Sequence, residues 1–171
     1  MSKELVGDPV PNGDGTFTVA YDIDVRRHGA ASATYDLTDA LRFGDGIEIL
    51  DARVENTVPG DIVANVAWDG VADTSVVTGE RIHGEHTHTY RVTVVVRVDH
   101  AATGTSTDCS LDAGETGTGL LNDAVVTVAG TVLTDDACAP LPDVTMTKEL
   151  VSAVEAGDGL VAVTYRLTVT N

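Results

Sequence analysis

Apolar and polar residues alternate with a period of two through most of this chain, which predicts strands rather than helices. From Thr16 to Arg26, Phe17, Val19, Tyr21, Ile23 and Val25 share one face, and Thr18, Asp22 and Asp24 share the other. Ala33 to Phe43 repeats the pattern with Tyr35, Leu37, Leu41 and Phe43 in phase, and Gly44-Asp45-Gly46 then supplies a turn. In Ile47 to Asn56 the apolar phase begins at Ile47 and Ile49 but continues at Leu50, Ala52 and Val54, a slip that predicts a β-bulge near Leu50. Pro59 to Gly70, with the only tryptophan, Trp68, reads as a long loop. Thr74 to Thr78 reads as a short strand, and Thr87 to Asp99 as a long one with Tyr90, Val92, Val94, Val96 and Val98 inward. Ala101 to Gly119 is rich in Gly, Thr and Asp and reads as a loop; Leu120 to Ala129, a turn at Gly130 and Thr131 to Asp135 form a hairpin. No helical period of useful length occurs, and seven or eight strands at these spacings predict an all-β, Greek-key immunoglobulin-like β-sandwich.

One stretch occurs twice. Lys3-Glu4-Leu5-Val6 recurs as Lys148-Glu149-Leu150-Val151, Gly13-Asp14-Gly15 as Gly157-Asp158-Gly159, and Val19, Tyr21 and Val25 as Val163, Tyr165 and Val169. A repeat at the distance of one small domain predicts a complete module over 1–142 and the opening strands of a following repeat over 143–171. Alternation in the second copy places Val144, Met146, Lys148 and Leu150 on one face, and Thr145, Thr147 and Glu149 on the other. Lys148 is therefore in the inward phase and, by the repeat, so is Lys3, although only Met1 and Ser2 precede it. The apolar faces of 143–171 lack the rest of a sandwich. They are expected to pack on the complete module or to exchange strands with another copy.

Composition narrows the setting. Aromatic residues make up 4% of the chain against 43% hydrophobic, so the core must be built from Val, Ala, Leu and Ile. A net charge of -17 argues against nucleic acid and anionic membrane as partners. No apolar run reaches spanning length, so no membrane insertion is expected and any export signal or anchor would lie outside these residues. Cys109 and Cys138 are an even pair in an acidic, strand-rich chain, which favours a disulfide in an oxidising compartment over two free thiols.

Three polar residues fall in the core phase: Lys3 with Leu5, Asp39 with Tyr35, Leu37, Leu41 and Phe43, and Asn122 with Leu120, Ala124, Val126 and Val128. Singly, each has an ordinary explanation: a frayed end, a turn cap, a bond to a loop backbone. Together they match a chemistry. A lysine desolvated in a valine core becomes a neutral, nucleophilic amine, and a carboxyl group beside it stays protonated. That acid can hydrogen-bond the asparagine carboxamide oxygen, polarise its carbon and shuttle a proton as ammonia leaves. The product is an amide between Lys3 and Asn122, with Asp39 as the assisting acid. The buried charge that made the lysine anomalous disappears with it.

The stretches Lys3 to Val6, Gly13 to Val19, Thr34 to Leu41, Thr87 to Val94 and Gly119 to Val128 resemble the tandem immunoglobulin-like or prealbumin-like repeats of bacterial surface proteins, the actinobacterial versions above all. These are related in style to the isopeptide-forming domains of Gram-positive pilins and adhesins. The resemblance covers nearly the whole chain and implies a wall-attached or secreted, extracellular stalk protein. It sets Lys3, Asp39 and Asn122 at the positions of the family's lysine, acid and asparagine, and its cysteine pair, Cys109 and Cys138, looks typical of the subgroup. Lys148 would be the lysine of the second repeat, and a competitor for Asn122 in a swapped arrangement.

Other constellations are weaker. His83, His86 and His88 include two that point to one face of a strand start, but no further metal ligand accompanies them and a polar turn accounts for them. The Asp-rich turns hold too few oxygens for a calcium loop, and no nucleophile elbow surrounds any serine. No metal or cofactor is expected, and no enzyme beyond a single self-directed turnover. Two functions remain, a structural spacer whose partners are neighbouring repeats, and an adhesive module that binds a glycan or host protein through loops around Trp68 and 101–119. An exposed Trp68 would favour binding and a buried one the spacer.

Overall fold

The computed structural model describes residues 1–58, 62–99, 107–141 and 145–170. These residues form strands and turns with no helix among them, and they fall into two units, Met1–Pro140 and Leu141–Asn171. The boundary expected between 142 and 143 lies outside the described residues.

The first unit has two antiparallel sheets. One runs β1 (Ser2–Leu5), β3 (Thr16–Arg26), β7 (Thr87–Val98), β5 (Ile47–Asn56), with the short β2 (Val10–Pro11) also on β3. The other runs β6 (Ser75–Ile82), β4 (Ala33–Phe43), β8 (Leu120–Val128), β9 (Thr131–Ala137). From β3 to β8 the chain changes sheet at every step, whereas β2 and β3 at its start and β8 and β9 at its end follow one another as antiparallel neighbours in one sheet. The β8–β9 turn places Ala129 and Gly130 at φ of 48° and 81°, the pair of positive angles that a type I′ turn requires.

Strict alternation puts Val19, Tyr21, Ile23 and Val25 of β3 against Tyr90, Val92, Val94 and Val96 of β7 in one layer. Tyr35, Leu37, Leu41, Val76, Ile82, Leu120, Ala124 and Val126 bury the facing layer. Hydrogen bonds join the layers: Tyr21 donates to the Leu120 carbonyl at 2.5 Å, and the Tyr35 hydroxyl meets that of Tyr90 at 2.5 Å and Nδ1 of His88 at 2.8 Å. The reading of an all-β sandwich holds.

Particular expectations hold to different degrees. The register of β5 on β7 slips between Ile49 and Asp51, where the phase change at Leu50 predicts a bulge. The strand expected at Thr74 to Thr78 instead runs Ser75–Ile82, because its second half pairs with Ala33 to Tyr35 of β4 whatever its own mixed pattern. β9 likewise extends past Asp135 to Ala137, which pairs with Asn122. Val98 is half-buried rather than inward, since it closes the end of β7.

The second unit is a hairpin of β10 (Thr145–Gly157) and β11 (Leu160–Thr170), turned by Asp158 and Gly159 at φ of 52° and 77°. Two strands have no opposing layer. Met146, Leu150, Val154, Val163, Tyr165, Leu167 and Val169 are each about half or more exposed. Val144, expected on the Lys148 face, lies outside the described residues.

Candidate functional site

Lys3 occupies the second position of an edge strand only four residues long. The strand is held because Lys3 pairs with Ile23 and Leu5 with Tyr21 in β3, while the Lys3 N–H donates outward to Asp135 Oδ2 of β9 at 2.9 Å. Short as it is, β1 buries the lysine, whose side chain is fully inaccessible. Nζ lies 5.4 Å from the Tyr21 ring centroid, a cation–π distance, and bonds the Asp39 carboxylate directly.

Asp39 arrives from the opposite sheet. It pairs with Ala124 of β8, and Asn122, two residues along, pairs with Leu41. That diagonal sets the two side chains side by side on the inner face, both at 0% exposure. The sequence-predicted trio is thus brought together between the sheets by three different strands.

Electrostatics follow from burial. Desolvation pulls the Lys3 amine below its ordinary value, against the attraction of Asp39 and, more weakly, of Asp123 and Asp135. Desolvation pushes the Asp39 carboxyl up, opposed by Lys3 and by the neighbouring Asn122. Both shifts run toward the uncharged forms, because a medium this dry disfavours either charge. Asn122 acts on Asp39 as a side-chain hydrogen-bonding neighbour that draws its carboxyl down, yet by distance and angle neither Asn122 Oδ1, nor Nδ2, nor Asp39 Oδ1 completes a well-formed hydrogen bond. A buried polar atom left without a partner costs about 1–3 kcal/mol, so this carboxamide is not held there by its own bonding.

The support around the trio was less legible. β6 ends its pairing with β4 at Thr38, and the loop before it takes over the exposed edge of β4. Asp39 N donates to the Thr74 carbonyl at 2.8 Å, Leu41 N to the Gly70 carbonyl at 2.8 Å, and Trp68 Nε1 to the Asp39 carbonyl at 2.9 Å. Trp68, 2% exposed, therefore pins the backbone that carries the acid. Gly70 makes this possible: at φ +73°, a Cβ would sit 2.5 Å from Leu41 Cγ and 2.8 Å from Trp68 Cζ2. A lone tryptophan in a loop signals burial at most. Which carbonyl it caps depends on where β6 stops.

Cys109 and Cys138 form a disulfide, and a Cβ on Gly119 would lie 3.1 Å from both sulfurs. The bridge thus closes over the residue just before β8. Lys148 stands in β10, exposed, with Nζ 4.2 Å from the Tyr165 ring centroid. His88 parts from the other two, correcting the reading that His86 and His88 share a face, while the His83 and His86 rings stay together with centroids 6.1 Å apart. His88 is buried against Tyr35, while His86 is exposed before β7 begins, and His83 Nδ1 meets Ser32 Oγ at 3.2 Å. Among the described residues no group of His, Cys, Asp and Glu gathers in a metal-binding arrangement, and no helix is long and apolar enough to cross a membrane.

Comparisons with protein-family models, curated proteins and solved structures find no match to this chain. The functional reading therefore stands on the chemistry of the site.

Proposed function

We propose that this chain is a structural repeat of a bacterial surface stalk or adhesin, hardened by an intramolecular amide between Lys3 and Asn122 and by the Cys109–Cys138 disulfide. The observation that carries the reading is a fully buried asparagine whose carboxamide completes no well-formed hydrogen bond, beside a buried lysine and aspartate that burial drives toward neutral forms. The uncharged Lys3 amine attacks Cγ of Asn122. Protonated Asp39 polarises the carboxamide and relays a proton, the Cγ–Nδ2 bond breaks, and ammonia leaves. Fixed proximity between strands supplies most of the rate, and no cofactor enters the step.

The burial of Trp68 supports a spacer over an adhesive module, because a ring committed to the Asp39 carbonyl offers no stacking face to a glycan. Part of the 101–119 loop, the other surface considered for a ligand, lies outside the described residues.

The test is the intact mass of the reduced, denatured protein beside Lys3→Ala and Asn122→Ala. A deficit of one ammonia in the parent, absent from both variants, is the expected result. An undiminished parent mass would remove the crosslink and leave a buried polar cluster.

A further inference from the structure

We propose that Lys148 is a second crosslinking lysine whose acceptor is Asn122 of a second copy of this chain, reached when β10 takes the place of β1 on the edge of β3. The inference rests on the crosslink reading above and extends it from within a chain to between chains.

The two strand pairs are built alike. In β1 on β3, Lys3 faces Ile23 and Leu5 faces Tyr21; in β10 on β11, Lys148 faces Leu167 and Leu150 faces Tyr165. Each lysine lies over the tyrosine of its pair, at 5.4 Å and 4.2 Å from the ring centroid. The hairpin therefore reproduces the lysine platform of the first module. What it lacks is the facing sheet with an acid and an asparagine, and that sheet exists in every copy of the chain.

Exchange is favoured by three features. β1 is an edge strand of four residues with β3 as its only paired strand and one further backbone bond, from Lys3 to Asp135, so little backbone pairing is lost when it is displaced. Lys148-Glu149-Leu150-Val151 is identical to the segment it would replace, so Leu150 would meet Tyr21, and Glu149 would face Asp22 as Glu4 already does. Finally, Met146 and Leu150 are 68% and 56% exposed on the hairpin, and the exchange would move this face toward a core. Leaving β11 gives up the β10–β11 ladder, which pairing with the edge of β3 replaces in part, and the Glu149–Arg166 pair, which is 3.5 Å long between side chains about two-thirds exposed and holds little. Identical elements traded between copies are a low-cost route to association.

Once seated, Lys148 Nζ attacks Cγ of the other chain's Asn122. The new C–N bond replaces Cγ–Nδ2, Asp39 relays the proton, and one ammonia leaves for each bond formed. A chain whose own Lys3 has reacted has no free Asn122, so the reaction belongs to chains in which Lys3 is absent or displaced. At -17 per chain, association is opposed by like charge and is faster in high salt.

The test uses full-length Lys3→Ala, with Lys3→Met retaining the stem's bulk should the smaller residue not hold the fold. Either, concentrated in high salt, should give a covalent dimer on a reducing denaturing gel, with the mass of two chains less one or two ammonias. The dimer should vanish in Lys3→Ala/Lys148→Ala and in Lys3→Ala/Asn122→Ala. Folded Lys3 variants that stay single chains overturn the inference, and if the parent still shows its ammonia deficit the intramolecular crosslink survives that result. A parent with full mass removes both.

Discussion

Removing the disulfide is the perturbation whose size follows most directly from the fold. Cys109 and Cys138 are 29 residues apart in sequence, and the bridge ties the loop before β8 to the end of β9. The chain-entropy relation gives about 3.6 kcal/mol for a loop of that length at 25 °C, acting chiefly on the unfolded chain. For a unit of this size each kcal/mol moves the melting midpoint by about 3–5 °C, so the double variant Cys109→Ala/Cys138→Ala should melt about 11–18 °C below the parent. Far-ultraviolet circular dichroism during heating reads the loss of strand, and urea titration reads the same change as a lower midpoint. Because the effect lies in the unfolded ensemble, the slope of free energy against urea should rise in the variant as its denatured state expands. A midpoint shift below about 3 °C with an unchanged slope would refute the reasoning. It would mean that β8 and β9, joined by a two-residue turn, keep this loop closed without the bridge.

Three further outcomes are expected. Trp68→Phe leaves the buried Asp39 carbonyl without its 2.9 Å donor and should cost about 2–3 kcal/mol in a urea titration. Gly70→Ala forces a side chain into a left-handed backbone at φ +73° and onto Leu41 Cγ, and should destabilise by about 2–4 kcal/mol by the same assay, whereas Gly13→Ala, whose Cβ meets nothing within 4 Å, should show only the backbone component. Burial holds the His88 imidazole below its ordinary 6.5. The unfolded chain therefore binds its proton at a higher pH than the folded one, and stability should fall as pH drops below about 6.5. Urea midpoints across pH 5 to 8 should lose that component of the slope in His88→Gln.

Much of the sandwich was legible because a strand half-buried in a sheet must alternate. Thr16–Arg26 and Ala33–Phe43 end where their patterns end, and the slip at Leu50 marks a bulge because one extra residue inverts every later side chain. The candidate site was legible for the same reason: Lys3, Asp39 and Asn122 break the pattern at inward positions. β6 and β9 ran longer than their patterns because pairing with β4 and β8 supplies backbone bonds whatever the side chains are. His88 was assigned to a polar turn because histidine is read as polar by type, and its place in the core depends on Tyr35 coming from another strand.

By itself the sequence determined the alternation, the turns at Gly44-Asp45-Gly46 and Gly130, the repeated Lys-Glu-Leu-Val and the residues that violate the core, because these depend only on neighbours along one strand. The tertiary structure alone decided that β1, β4 and β8 bring the lysine, the aspartate and the asparagine to one place. It also decided that the Asn122 carboxamide completes no well-formed hydrogen bond there and that Trp68 caps the backbone carbonyl of the acid itself. Those are contacts between residues tens of positions apart, and no periodicity within a strand encodes which strand will lie opposite it.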